Sequence, residues 1–179
     1  MDAARLTRAT LAAVLAAWLG GCASAPRAPL PAVPGVDLPR FMGDWYVIAH
    51  IPTRIERNAW NAIERYDLAP DGTVATTFTF RDGAADGPAK RYRPTGFVRD
   101  PVNRSTWGMQ FIWPFKAEFL IAYLDPGYTQ TIIARSARDY VWIMARTPTL
   151  PEADYARLVA QVAAWGYDTQ KLRRVPQHW

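Results

Sequence analysis

From Phe41 to about residue 146, apolar and polar positions alternate in short segments bounded by Gly, Pro, Asp and Asn. Period-two alternation sends successive side chains to opposite faces of a strand. It predicts eight strands, at about 44–51, 61–69, 73–80, 90–98, 105–112, 118–124, 129–135 and 139–146. Pro70-Asp71-Gly72, Asp82-Gly83 and Asp125-Pro126-Gly127 supply turn signals between them. One face then collects Trp45, Val47 and Ala49; Val74, Thr76, Phe78 and Phe80; and Trp107, Met109, Phe111 and Trp113. After the last strand the period changes: Tyr155, Leu158, Val159 and Val162 share one helical face, Thr149 and Glu152 have the spacing of a capping box, and Gly166 ends the run. Lys171 to Val175 could add a short ninth strand. The pattern is an all-β meander followed by one helix that must bury its stripe against the outside of the sheet. Such a meander can close into a barrel or remain an open two-sheet sandwich, and alternation does not separate the two.

The segment before the strands reads differently. Arg5 and Arg8 precede an apolar stretch, Ala9 to Leu19, that is short for a bilayer span and ends in Leu19-Gly20-Gly21-Cys22. That tetrapeptide resembles the lipobox of bacterial lipoproteins, which implies cleavage of residues 1–21 and acylation of Cys22; an ordinary cleaved signal is the other reading. Ala23 in place of Asp resembles the pattern for export to the outer membrane. Residues 22–36 then form a Pro- and Ala-rich stretch without hydrophobic period, expected to be an extended tether. Cys22 is the only cysteine of the 179 residues, so no intramolecular disulfide is possible.

Composition limits the function classes. The net charge is +5, and removal of the first 21 residues, with Arg5, Arg8 and Asp2, leaves +4. Basic residues are scattered, as in Arg91/Arg93 and Arg173/Arg174, so nucleic acid is not an expected partner, while an anionic lipid surface is compatible with the charge. Eight Trp and eight Tyr must fill a core or line a cavity with an apolar occupant. Two histidines, His50 and His178, do not make a zinc site of the usual kind, and neither a phosphate-cradling Gly-rich loop nor a Gly-x-Ser-x-Gly motif occurs. Neither metal nor cofactor is expected.

The two ends of the strand region carry a further signal. Phe41-Met42-Gly43-Asp44-Trp45-Tyr46 resembles the opening Gly-x-Trp motif of the lipocalins, and Trp142-Ile143-Met144-Ala145-Arg146-Thr147-Pro148 resembles their closing segment. Arg54-Ile55-Glu56-Arg57, Tyr66-Asp67-Leu68, Trp113-Pro114-Phe115 and Arg138-Asp139-Tyr140-Val141-Trp142 extend the likeness, which is nearest to the bacterial members and the apolipoprotein D branch. The central Thr-Asp-Tyr motif departs from it, as Leu124-Asp125-Pro126-Gly127-Tyr128. The resemblance implies an eight-stranded antiparallel up-and-down barrel over residues 37–179, with one C-terminal helix packed outside. It further implies a structural role for Gly43, Trp45 and Arg146, the arginine packing on the tryptophan that plugs the closed end. Combined with the alternation, it nominates Val47, Ala49, Glu64, Tyr66, Phe78, Met109, Tyr140 and Trp142 as the lining of a ligand cavity.

Glu64 stands out, because a carboxylate on the inner face must be paired, hydrogen-bonded or neutral. It could orient a ligand's polar head group, or form a salt bridge at the mouth with Arg93 or Arg57. Tyr140 and Trp142 could line the cavity or simply fill the core. The resemblance implies a carrier for a lipid-like molecule, such as a fatty acid or lysophospholipid, anchored through Cys22 at the periplasmic side of the outer membrane. The rivals are an enzyme acting on a lipid or pigment with Glu64 as general base, and a structural lipoprotein with a filled barrel.

Overall fold

The structure is a computed structural model that describes residues 27–179; the proposed signal segment and Cys22 lie outside the described residues. Its strands are β1 (Gly43–Ile51), β2 (Ala59–Leu68), β3 (Val74–Asp82), β4 (Ala89–Tyr92), β5 (Thr95–Val98), β6 (Thr106–Ile112), β7 (Phe115–Leu124), β8 (Gln130–Ala134), β9 (Val141–Ala145) and the two-residue β10 (Arg173–Arg174). Neighbours along the chain pair antiparallel, except that β4 and β5 both pair with β3 and β10 pairs with β1, and β1 pairs with β9, from Tyr46 opposite Ala145 to Ile51 opposite Val141. That pairing closes the meander into a barrel and decides against the sandwich. Closure pairs β1 with β9, so that neither end of the main strand order is left as an open sheet edge.

The predicted fourth strand, 90–98, is broken into β4 and β5, which together make one stave of the eight. Pro94 has no N–H to give to a ladder, which interrupts the pairing between the two pieces. The ninth strand is reduced to β10, which pairs with β1 through Arg174 opposite Ala49.

Helix α1 (Leu38–Phe41) precedes β1, and helix α2 (Glu152–Ala164) follows β9. The capping box expected at Thr149 and Glu152 is not formed; Pro151 occupies the N-cap position, with no side-chain cap. A proline holds the residue before it extended, so Leu150 cannot be a helical residue and the helix starts later. Gly166 follows the helix at φ +83°, a conformation that glycine adopts without steric penalty. Leu158 and Val162 are fully buried, in a cluster with Ile48, Ala49, Ile132, Ile143 and Ala145 on the outer face of the barrel. A second cluster fills part of the interior, and includes Trp45, Val47, Tyr66, Trp107, Phe119 and Met144.

The expected tether is only partly free. Leu30 belongs to the outer cluster, Val36 is fully buried in the inner one, and the backbone N–H groups of Val33 and Val36 donate to the carbonyls of Ile121 (3.1 Å) and Asn103 (2.8 Å). Residues 30–36 are therefore part of the folded body, because their scattered apolar side chains find room beside β7.

Candidate functional site

One end of the barrel is plugged. Trp45 points inward and is fully buried, its ring 5.0 Å from that of Phe41, and Phe41 in turn lies 5.6 Å from both Tyr66 and Trp107. The indole N–H of Trp45 donates to the Phe41 carbonyl at 2.9 Å. Arg146 lays its guanidinium 3.9 Å from the Trp45 ring centre. The same group donates to the carbonyls of Asp44 (2.8 Å), Arg40 (3.0 Å) and Phe41 (3.0 Å). It thus joins the helix, the first strand and the last. Gly43 sits beneath it at φ +92°, a backbone conformation that favours glycine. The divergent turn after β7 is held by Asp125, whose carboxylate accepts from the N–H groups of Gly127 (3.0 Å) and Thr129 (2.6 Å). Its Tyr128 supports the same end, with the Arg40 guanidinium 4.2 Å above the ring.

Above the plug lies a cavity of about 350 Å³ that opens at the other end. Phe78, Met109, Phe119, Tyr140 and Trp142 line it; Glu64, Glu56 and Thr76 are among its polar groups, with Thr53 and Glu118; Arg54, Ile55, Phe111 and Arg135 stand at the rim. Of the residues nominated from sequence, Glu64, Phe78, Met109, Tyr140 and Trp142 line this cavity. Val47 and Tyr66 face inward but are packed in the fully buried layer beneath it.

Ala49 is a correction: it faces outward, under α2. The register of β1 against β9 shifts between Val47 and Ala49, so that two residues of β1 oppose one of β9. This bulge reverses the alternation beyond Ile48. It turns His50 toward the interior, opposite Trp142, where it is 2 % exposed. Trp113, also expected inward, sits in the β6–β7 turn and is 82 % exposed.

The carboxyl of Glu64 accepts a hydrogen bond from the Tyr66 hydroxyl, two residues along the same face. Among the described residues no cation is within ion-pair distance of it, so the bridge to Arg93 or Arg57 is not made. Burial pushes its pKa up to about 7, against the pull of the Tyr66 hydrogen bond and with help from the charge of Glu56. The Tyr66 phenol is driven well above its ordinary value by burial and by Glu64.

Glu56 was not nominated. It lies on a 3-10 turn, Arg54–Glu56, that folds over the mouth, and it is 2 % exposed. Its carboxylate accepts from the Thr53 N–H (2.9 Å) and from the Trp142 indole N–H (3.2 Å). The Nδ1 atom of His50 is 3.7 Å away, close enough for charge attraction but too long for a good hydrogen bond. Burial raises the Glu56 pKa, yet His50, the Thr53 N–H and the Trp142 indole together bring it below the ordinary carboxylate value. Glu56 thus ties the mouth loop to the cavity wall. Its sequence signal was the Thr53-x-x-Glu56 spacing, of which the reach of Glu56 back to the Thr53 N–H is formed.

Comparison with known proteins agrees with this architecture. The family profile of the lipocalin-like domain matches residues 36–177. Temperature-induced lipocalin-1 of Arabidopsis thaliana is 32% identical over 151 residues, 81% of this chain and 81% of that one. The outer membrane lipoprotein Blc of Citrobacter freundii is 29% identical over 169 residues, covering 93% of this chain and 95% of its own. Among solved structures, insecticyanin from the tobacco hornworm Manduca sexta superposes with a TM-score of 0.64 at 14% identity, over 83% of this chain and 84% of that one, which bears on the fold alone. With a profile that spans nearly the whole folded body and a barrel plugged by Trp45 and Arg146, the chain belongs to the lipocalin family.

Proposed function

We propose that the barrel binds and stores or transports a single-chain lipid such as a fatty acid or lysophospholipid, without chemical turnover. The protein is held at the periplasmic side of the outer membrane by acylated Cys22. The observation that carries the reading is the cavity above the plug, about 350 Å³ with walls of Phe78, Met109, Phe119 and Trp142. Such a volume is at the lower end of the range for small-molecule sites, and so suits one chain better than two. Each methylene removed from water contributes about 0.8 kcal/mol, so a chain of about a dozen gains roughly 10 kcal/mol before ordering costs, compatible with about micromolar affinity.

The anchor is supported by the Leu19-Gly20-Gly21-Cys22 signature and by relatives that are themselves outer membrane lipoproteins. The plant relative is named for induction by temperature, which fits a role in membrane maintenance or stress.

The test is titration of the delipidated protein with a long-chain fatty acid, followed by intrinsic Trp fluorescence. Trp142→Ala enlarges the cavity and removes aromatic wall, and lowers affinity at least several-fold. Failure of every lipid tested to bind the wild-type protein refutes the carrier. In cells, Cys22→Ser abolishes acyl labelling; unchanged labelling of that variant refutes the anchor.

A further inference from the structure

We infer that the open mouth of the barrel docks on the lipid surface, with the tip of the β6–β7 hairpin sunk among the headgroups. This rests on the proposed anchor and adds an orientation that the anchor alone does not fix.

The first observation is a run of exposed apolar side chains. Phe111 is 49 %, Ile112 72 %, Trp113 82 % and Phe115 75 % exposed, and Ile55, on the β1–β2 loop that borders the same cavity, is 43 % exposed. Single exposed apolar residues are ordinary; a contiguous group of this size marks an interaction surface. All of residues 111–117 are exposed, so the tip projects with both of its faces bare. A fluid lipid interface can surround such a projection, whereas a protein face covers one side of it. Trp and Phe are suited to that depth, and Arg54 and Arg57 of the β1–β2 loop at the same end of the barrel are exposed cations suited to lipid phosphates. Phe111 and Ile55 also line the cavity, which puts the tip at the mouth.

The second observation is independent of the first and concerns where the chain arrives. The loop 135–140 joins β8 to β9 at the open end, and its Ala137 carbonyl accepts from the Arg27 guanidinium at 3.5 Å. Arg138 of the same loop donates to the carbonyl of Ala28. From there the segment runs along β7 toward the plugged end, which it reaches at Asp37. Cys22 precedes Arg27 by five residues, and five residues span at most about 18 Å. An acyl anchor on Cys22 therefore tethers the mouth end of the barrel, at Arg27, within about 18 Å of the surface that the anchor enters. A ligand leaving the leaflet would meet the cavity without crossing bulk water.

The experiment uses the full acylated chain in vesicles whose phospholipids carry bromine on their acyl chains as a fluorescence quencher. Wild type is compared with Trp113→Phe, a change at a side chain exposed enough to leave the fold intact. The difference between the two emission spectra, which is the signal of Trp113, is expected to be blue-shifted and quenched several-fold more than the remaining emission. A Trp113 signal that is unquenched and emits as in water overturns the inference, as does one quenched no more than the rest. So does a chain that stays out of the vesicles, which refutes the anchor as well. Copies crosslinked through position 113 with no quenching assign the tip to a second copy of the chain and overturn it too. Quenching requires no ligand: a barrel that binds no fatty acid yet shows a quenched Trp113 refutes the carrier and supports the docking.

Discussion

Glu64→Gln separates the electrostatics of the cavity from its shape. In the folded protein Glu64 holds its proton to about pH 7, whereas the unfolded chain releases it near 4.5. Below 4.5 both states are protonated and the group contributes nothing to pH dependence. As pH rises toward 7 the unfolded state loses its proton first, so folding becomes less favourable. Above 7 the whole penalty is present, and a gap of roughly 2.5 pH units at about 1.4 kcal/mol each makes it about 3 kcal/mol. A glutamine at this position has no proton to lose and can still accept from the Tyr66 hydroxyl, so the variant lacks the penalty. Urea unfolding by far-UV circular dichroism is therefore expected to give similar midpoints for the two proteins at pH 4.5. At pH 8 the midpoint of Glu64→Gln is higher by about 1–3 M, for a slope of about 1–3 kcal/mol per M. Tyr66→Phe removes the donor that stabilises the carboxylate and widens the gap. The same Glu64→Gln substitution bears on binding: removal of a negative charge from the cavity raises affinity for an anionic fatty acid at pH 8 and leaves that for a neutral monoacylglycerol nearly unchanged. Parallel stability–pH curves for wild type and Glu64→Gln would refute the assignment of a buried, unpaired carboxyl.

Two further substitutions test the frame. Arg146→Ala removes a cation–π contact and takes a donor from the carbonyls of residues 40 and 44, while the Phe41 carbonyl keeps the Trp45 indole N–H, and is expected to lower stability by about 1–3 kcal/mol in urea unfolding with little change in lipid affinity of the folded fraction. Ala49→Leu overpacks the layer beneath α2 at about 1–3 kcal/mol and leaves fatty-acid affinity unchanged; a large affinity change with intact stability would place residue 49 in the cavity after all.

The strands were legible because a barrel with one face inward and one outward imposes strict alternation, and the turns are marked by residues chosen for their backbone geometry. Phe78 and Met109 could be assigned to the interior on that basis alone, and Trp142 through its phase with Arg146, which the resemblance turns toward Trp45. What alternation cannot show is an inserted residue. In Val47-Ile48-Ala49-His50-Ile51 both Ile48 and Ala49 are apolar, and either suits the layer under α2, so nothing local announces the bulge that turns Ala49 out and His50 in. The capping-box spacing occurs twice, and the two cases show how a local signal is decided by its neighbours. At Thr149 and Glu152, Pro151 holds Leu150 extended and the box is lost. At Thr53 and Glu56 no proline intervenes, the turn forms, and Glu56 also reaches the Trp142 indole. A polar residue that looks like part of a surface turn is thereby drawn inside, and it sets the second negative charge near Glu64. The site's chemistry thus depends on two long-range facts, the bulge opposite β9 and the inward fold of the mouth loop. Both bring together residues distant in sequence, which is why the apolar wall and Glu64 could be read from the chain, while Glu56 and His50 could not.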